Sequence, residues 1–264
     1  MKRLVLTLCV LCVAAVGVYA KGAGDFRTTA ANGVVTITRY RGNVKELVIP
    51  AVINGLPVTA IGDRAFWDCR SLTTVTIPSS VTAIGESAFE ICSNLTTVTI
   101  PSSVTVIGVY AFVGCSSLTT VTIPPSVTDV GDGAFAVCSS LTTIIVDNRN
   151  HRYASMNGVL FEKDMQTIIA YPTGKNGSSY TIPSSVTTIG KGAFAGCSSL
   201  ATVTIPSSVT TIEAYAFGDC SSLTTVTIPS SVTVIGDRAF KGCNLDAATR
   251  SEITRRFGNA PLEG

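Results

Sequence analysis

A period of 23 residues runs through most of this chain and constrains its fold more than any other feature. Phenylalanine, cysteine and leucine each recur at this step. The phenylalanines that mark it are Phe66, Phe89, Phe112, Phe135, Phe194, Phe217 and Phe240. A fixed period of this length predicts a solenoid, in which each unit buries its apolar face only against its neighbours.

Each unit carries the signals of one short strand, a second apolar pair and one helical turn. In Leu95–Ile100 apolar residues alternate with threonines, which predicts a strand with its apolar face inward and its threonines outward. Pro101 ends this strand, because proline has no N–H to donate to a neighbour. Val104 and Ile107 form a second apolar pair, on the next side of the coil. The spacing around Phe112 predicts one helical turn that directs its ring into the core.

The period is broken once, between Leu141 and Leu200, which are 59 residues apart, two periods plus 13. We therefore predict an irregular unit at 147–180, with a hairpin at the Asn157-Gly158 pair. In this interpretation Met165, Ile168 and Ala170 take the places of the strand's leucine, valine and isoleucine. The 13 additional residues are expected to loop out on one face.

The beginning of the chain has the pattern of an export signal. Lys2 and Arg3 precede an apolar run too short to span a bilayer comfortably, and small residues follow up to Ala20. We predict a signal peptide at 1–20 and an exported protein that is periplasmic, at the cell surface or secreted. No later apolar run reaches the ~20 residues of a membrane helix, so membrane insertion is not expected.

The mature chain divides into two caps and a repeat array. We predict an N-terminal cap at 21–43, about eight leucine-rich repeats at 44–245, and a helical C-terminal cap at 246–264. Asp246 is the expected N-cap of the last helix and Gly258 its stop. Terminal units must differ from internal ones because one of their faces meets water.

Charge and reactive residues exclude several classes of function. Without residues 1–20 the 19 basic residues lose Lys2 and Arg3, which leaves 17 basic and 17 acidic residues. A neutral chain argues against nucleic acid as a partner, because such binding depends on Lys and Arg. His151 is the only histidine, and no nucleophile motif occurs, so neither an enzyme nor a cofactor or metal site is predicted.

The mature cysteines all occupy one repeat position. This spacing lacks the paired cysteines of zinc sites and predicts a buried column of small apolar side chains. Disulfides between adjacent layers are the alternative, although side chains that point the same way suit a bridge poorly. The cysteines of the column are Cys69, Cys92, Cys115, Cys138, Cys197, Cys220 and Cys243.

The outward threonines of the first strands are the predicted binding surface. They are either a soluble, strand-favouring filler or a flat hydroxylated face offered to a protein. The ten threonines are Thr74, Thr76, Thr97, Thr99, Thr120, Thr122, Thr202, Thr204, Thr225 and Thr227. Aromatic and arginine side chains usually supply interface energy, so specificity is assigned to the irregular unit. The predicted anchors there are Arg149, Arg152, Tyr153 and Tyr171. Further candidates are Trp67, Tyr110 and Tyr215.

The unit LxxVxIPxSVxxIGxxAFxxC resembles the leucine-rich repeat of BspA-like proteins. The resemblance covers nearly the whole mature chain, including the broken unit, and the SEITRRFG end is similar to that of treponemal members. It implies a β-rich solenoid: a right-handed coil with parallel sheet, short helical turns and a C-terminal capping helix. Ile145, Asp147 and Glu213 depart from the repeat and make its surface uneven.

The resemblance also implies a function. It predicts an exported, non-enzymatic protein that binds other proteins, an adhesin for host matrix proteins or other cells. The alternative is a structural or self-associating envelope protein, in which the same face pairs with a second copy. The family's binding residues follow no motif, so the resemblance adds no individual site.

Overall fold

The computed structural model describes residues 23–263, which form a β-solenoid of about nine turns. The predicted signal peptide lies outside the described residues. In chain order the strands are β1 Phe26–Ala31, β2 Val34–Tyr40, β3 Glu46–Val48, β4 Val52–Ile53, β5 Leu56–Ile61, β6 Thr74–Thr76, β7 Ala83–Ile84, β8 Thr97–Thr99, β9 Val106–Ile107, β10 Thr120–Ile123, β11 Asp129–Val130, β12 Thr143–Val146, β13 Tyr153–Met156, β14 Val159–Glu162, β15 Thr167–Ala170, β16 Ser179–Thr181, β17 Thr188–Ile189, β18 Thr202–Thr204, β19 Thr211–Ile212, β20 Thr225–Val226 and β21 Val234–Ile235. The helices are α1 Ala247–Phe257 and two 3₁₀ turns, Ala23–Asp25 and Ala260–Leu262.

Each regular turn of the coil contributes one strand to each of two rows. The first row contains the parallel groups β3-β6-β8, β10-β12 and β16-β18-β20. The second row runs β2-β5-β7-β9-β11 in parallel and continues, beyond the irregular unit, as β15-β17-β19-β21. The predicted parallel solenoid is thus confirmed.

The third side of each turn is built around a phenylalanine. Phe66, Phe89 and Phe112 are fully buried, and their rings stack with centroids 4.9 and 5.2 Å apart. Their segments form successive turns with hydrogen bonds between residues i and i−3, as from Cys115 N–H to the Phe112 carbonyl at 3.2 Å. Left-handed residues such as Tyr110, at φ 56°, separate these turns, so the helical spacing gives single turns instead of a continuous helix.

The irregular unit is folded into the stack, and the prediction that its additional residues loop out is wrong. β13 and β14 form the predicted antiparallel hairpin at Asn157-Gly158, and β14 pairs antiparallel with β15. The buried residues form an N-terminal and a C-terminal hydrophobic core, and β14 contributes to both. Leu160 packs in the N-terminal core and Phe161 in the C-terminal core. The assignment of Ile168 to the first row is also wrong, because Ile168 pairs with Ile189 in the second row.

The N-terminal end of the stack is a hairpin that already follows the repeat. β1 and β2 are antiparallel around Asn32-Gly33, and β2 then pairs in parallel with β5. The N–H of Tyr40 donates to the Ala65 carbonyl at 2.7 Å, as that of Phe66 does to Ala88. Tyr40 thus takes the phenylalanine position, and its ring continues the stack, 5.3 Å from that of Phe66.

At the other end, α1 covers the last turn, as predicted. Asp246 is its N-cap, with Oδ1 accepting a hydrogen bond from Thr249 N–H at 2.7 Å. Gly258 ends it at φ 78° and donates to the Thr254 carbonyl. Ile253 is fully buried on the inner face of the helix.

The seven cysteines of the column are free thiols. Five of them donate to the carbonyl of a phenylalanine in the preceding turn, as from Cys92 Sγ to Phe66 at 3.1 Å. Cys69 begins the column and is its only partly exposed member among the described residues. The buried column is confirmed for the other six.

Candidate functional site

The ten predicted threonines lie along the first row of strands, and we call them the threonine face. Thr74 pairs with Thr97, and Thr76 with Thr99, on successive strands. The valine between each pair of threonines, such as Val98, is buried in the core. Alternation along the strand therefore places both threonines of every turn toward solvent.

The face has two parts. Thr120 and Thr122 continue its N-terminal part, and Thr202 pairs with Thr225 in its C-terminal part. The irregular unit lies between the two. Three further positions that the sequence interpretation missed extend both columns toward it: Thr143, Ser179 and Thr181. The signal that could have found the last two is the SYTIPSS segment at 179–185, which resembles the TVTIPSS of the regular turns.

The hydroxyls of this face differ from those of neighbouring threonines. The hydroxyl of Thr96 donates to the Thr73 carbonyl at 2.9 Å, and that of Thr73 to the Lys45 carbonyl. Among residues 23–263, the only hydroxyl of the face that donates within the protein is that of Thr225, to Asp246 Oδ2 at 3.1 Å. The other nine keep their hydrogen-bonding capacity for water or a partner.

A second threonine ladder, on the edge of the second row, has a structural role. Thr105 donates its hydroxyl to the Thr82 carbonyl at 3.2 Å, and Thr210 donates to Thr187 at 3.3 Å. These hydroxyls tie one turn to the next. The repeat therefore uses threonine in two ways: the ladder hydroxyls donate to the preceding turn, whereas nine of the ten hydroxyls of the threonine face donate to no group within residues 23–263.

Apolar side chains interrupt the threonine face where the irregular unit begins. Ile145 is the register partner of Thr122 and is 45% exposed. Met156, on the neighbouring strand β13, is 38% exposed. Exposed apolar side chains among hydroxyls are what a protein interface buries at its centre.

Of the four predicted anchors, the two arginines are exposed. The guanidinium of Arg149 binds both carboxylate oxygens of Asp147, at 3.0 and 2.9 Å. These hydrogen bonds hold the pKa of Asp147 at about 2. Arg152 donates to Glu162 Oε1 at 3.1 Å. Both guanidiniums remain accessible to a partner.

The two predicted tyrosine anchors are buried, and the prediction that they contact a partner is corrected. Tyr153 accepts a hydrogen bond from Val130 N–H at 2.9 Å and so joins the hairpin to the preceding turn. Tyr171 takes a phenylalanine position, with its ring 5.1 Å from that of Phe194. Burial raises the pKa of Tyr171 to about 12. Tyr171 thus contributes its ring to the aromatic stack, whereas Tyr153 uses its hydroxyl to bind the preceding turn.

The other aromatic candidates lie on the turns, away from the threonine face. Trp67 is 37% exposed beneath the guanidinium of Arg39, 5.5 Å from its ring centroid. Tyr215 lies under Arg238 at 5.8 Å, and Tyr110 is 37% exposed. These residues do not form one surface with the threonines.

The described residues show no arrangement for catalysis or metal binding. Residues 23–263 hold no group of three His, Cys, Asp or Glu side chains that could bind a metal ion. Burial raises the pKa of the Cys138 thiol to about 12, and that of Cys69 to about 11, which disfavours the nucleophilic thiolate. His151 is exposed in the loop before β13. In the same part of the chain, no helix is both long and apolar enough to cross a membrane.

Comparisons with known proteins agree with this architecture. The solved structure of a T. pallidum leucine-rich repeat protein is 28% identical, with a TM-score of 0.52, and the match covers 89% of this chain and 94% of that one. A leucine-rich cell surface protein from Faecalibacterium prausnitzii is 29% identical, with a TM-score of 0.51, over 84% of this chain and 80% of that one. The pneumococcal vaccine antigen PcpA, 22% identical with a TM-score of 0.52 over 85% of this chain and 80% of that one, shares the fold. No curated protein matches the chain.

The repeat itself identifies the family. A family model described as the BspA type leucine rich repeat region matches six copies, over residues 40–162 and 152–260. These matches include both the regular turns and the irregular unit. The chain therefore belongs to the BspA-type leucine-rich repeat family.

Proposed function

We propose that this protein is exported and binds other proteins through the threonine face, as an adhesin for host matrix proteins or other cells. Leucine-rich repeat proteins of this kind are typically non-enzymatic interaction scaffolds, and one solved relative is described as a cell surface protein. Export is supported by the predicted signal peptide at 1–20. The observation that carries the proposal is the row of unused hydroxyls around exposed Ile145.

The chemistry of the face suits a protein partner. Threonine offers a methyl group and a hydroxyl on a fixed backbone, so binding orders few flexible side chains. Ile145 and Met156 supply apolar area near the middle of the row, while Arg149 and Arg152 lie in the adjacent loop. Apolar contacts with an arginine rim are common in protein interfaces.

The experiment compares binding of residues 21–264 with that of surface variants. Immobilised fibronectin, fibrinogen and laminin serve as probes at physiological salt. Thr99→Lys with Thr122→Lys places two charges on the face, and we expect saturable binding to be lost. The matched control is Ser102→Lys with Ser207→Lys, which adds the same charge at exposed turn serines.

A second pair of variants tests the apolar centre. Ile145→Thr restores the repeat pattern, keeps the strand and should weaken binding about tenfold, the cost of one moderate interface contact. Deleting 147–180 is unsuitable because Leu160 and Phe161 are core residues. Equal binding by all variants would contradict the proposal. A mass that rises with protein concentration and falls in the double-lysine variant would support the self-associating alternative.

A further inference from the structure

A groove at the N-terminal end of the stack concentrates positive charge, although residues 21–264 carry equal numbers of basic and acidic side chains. Its lining includes four arginines and one carboxylate, that of Asp68. The arginines are Arg27, Arg39, Arg41 and Arg70. Trp67 lies in the same groove and is 37% exposed. The groove is on the turn side of the first layers, separate from the threonine face.

Most of this positive charge has no counter-ion within the protein. Arg70 Nε binds Asp68 Oδ1 at 2.6 Å, which uses the only carboxylate of the lining. Arg27, Arg39 and Arg41 form no ion pair among residues 23–263. Three guanidiniums therefore share one groove without neutralisation.

The fold places two of these arginines directly opposite one another. Arg27 on β1 and Arg39 on β2 are register partners in the antiparallel hairpin. Like charges at directly opposed positions destabilise a strand pair, so a hairpin selected for stability alone would avoid them. A ligand with several negative charges would remove this repulsion.

The groove also contains an aromatic side chain, the indole of Trp67. Arg39 lies over Trp67, with the guanidinium carbon 5.5 Å from the ring centroid, which holds its side chain at the groove. The exposed part of the indole, 37% of the residue, lies beside the arginines. An aromatic surface next to a cluster of guanidiniums can pack against a ring while the guanidiniums bind the anionic groups that the ring carries.

We propose that this groove binds a sulfated polysaccharide. Guanidiniums bind tetrahedral oxyanions through two parallel hydrogen bonds, and the indole packs on the apolar face of a sugar ring. Nucleic acid fits less well, because binding a duplex or a long strand needs an extended basic stripe. An anionic membrane also fits less well, because Trp67 is the only exposed apolar side chain of the groove.

The test measures binding of residues 21–264 to a heparin tetrasaccharide by calorimetry in low salt. The groove variant replaces Arg27, Arg39 and Arg41 with glutamine. The control replaces Arg238, Arg250 and Arg255 with glutamine, so both variants lose three positive charges from the surface. We expect the groove variant to bind at least about tenfold more weakly, and the control to stay within about twofold.

Three further measurements separate the proposal from other polyanion binding. Trp67→Ala should weaken binding and Trp67→Phe should restore most of it. Fully desulfated heparin should not bind. Equal loss in the groove and control variants, or no heparin binding at all, would overturn the proposal. An oligonucleotide or phosphatidylserine vesicles binding as tightly as heparin would also overturn it. Circular dichroism of each variant verifies that the solenoid is intact.

Discussion

The stack is interrupted in two places, and the two interruptions are closed differently. In two turns before the irregular unit, a serine hydroxyl of the next turn donates to a valine carbonyl: Ser103 to Val81 and Ser126 to Val104, both at 2.6 Å. At the irregular unit no such serine follows. The buried amide of Asn150 takes its place and donates to Pro124 and Val127 at 2.9 and 3.0 Å.

The second interruption is the C-terminal end, where an arginine performs the same task. Arg256 reaches from α1 and donates to the carbonyls of Ile228, Pro229 and Val232, at 2.8 to 2.9 Å. Pro229 and Val232 are the repeat equivalents of Pro124 and Val127. At both interruptions, a side chain thus donates hydrogen bonds to equivalent carbonyls of the preceding regular turn.

The two closures differ because a strand of the stack, β13, follows Asn150, whereas Arg256 belongs to the capping helix α1. The Oδ1 of Asn150 also accepts hydrogen bonds from Arg152 N–H and Tyr153 N–H, both at 2.8 Å, and so directs the chain into β13. A short side chain that both donates and accepts can close one turn and start the next. Arg256 only donates and comes from a helix, which suits an end where no further turn is stacked.

The largest expected effect tests whether the irregular unit is part of the core. Phe112→Ala in a regular turn should lower the free energy of unfolding by ~3–5 kcal/mol, because it leaves a cavity in the stack. Phe161→Ala should cost as much, since both side chains are fully buried. Urea unfolding of both variants measures this. A loss below about 1 kcal/mol for Phe161→Ala would mean that the unit is not packed into the stack.

Asn150→Ala should have the next largest effect, about 2–3 kcal/mol, because it removes the side-chain donor to the Val127 carbonyl and the acceptor of the Arg152 and Tyr153 N–H groups. Asn150→Asp should be at least as damaging, since a carboxylate cannot donate to that carbonyl. The control is Asn148→Ala, an exposed asparagine two residues away, which should change stability by less than about 0.5 kcal/mol. Equal effects at 148 and 150 would refute the capping role.

Arg256→Ala should cost about 1–2 kcal/mol, less than Asn150→Ala, because water can replace part of its hydrogen bonds at the end of the stack. The neighbouring Arg255 pairs with Glu252 at the surface and serves as the control, with an expected change of ~0–1 kcal/mol. Thermal unfolding of both variants gives the comparison. If Arg255→Ala proves the more destabilising, the terminal closure depends on the helix surface instead.

The smallest effect concerns reactivity at the open end of the cysteine column. Cys69 is the partly exposed member, so a thiol reagent should modify it first in the folded protein. Burial raises its pKa to about 11, so the rate should increase with pH up to that value as the thiolate forms. Cys69→Ser should remove this phase. Modification of several thiols at one rate would show that the column opens as a unit.

Much of the fold was predictable because each repeat contains the apolar residues that pack against the same residues of the next repeat. The spacing of the phenylalanines, the alternation in Leu95–Ile100 and the cap signals at Asp246 and Gly258 are local properties of the chain. The irregular unit was less predictable. Ile168 lies in an apolar run that suits either row of strands, and only pairing with Ile189 decides between them.

The candidate surfaces, too, were only partly predictable from the sequence. Alternation predicted that the threonines face outward, but it could not tell the free hydroxyls from the neighbouring ladder that donates to carbonyls of the preceding turn. Tyr153 and Tyr171 have the composition of interface residues, and the stack buries both. The arginine groove escaped sequence interpretation because Arg27, Arg39 and Arg70 are separated in the chain.

The sequence by itself determined the period, the parallel solenoid, the buried cysteine column and the helical cap, because each turn packs against a near copy of itself and repeats its contacts. Only the tertiary structure decided how the irregular unit packs into the stack, which tyrosines are buried and which arginines line the same groove. Those outcomes depend on contacts between segments that are not copies of one another, and no local pattern encodes such contacts.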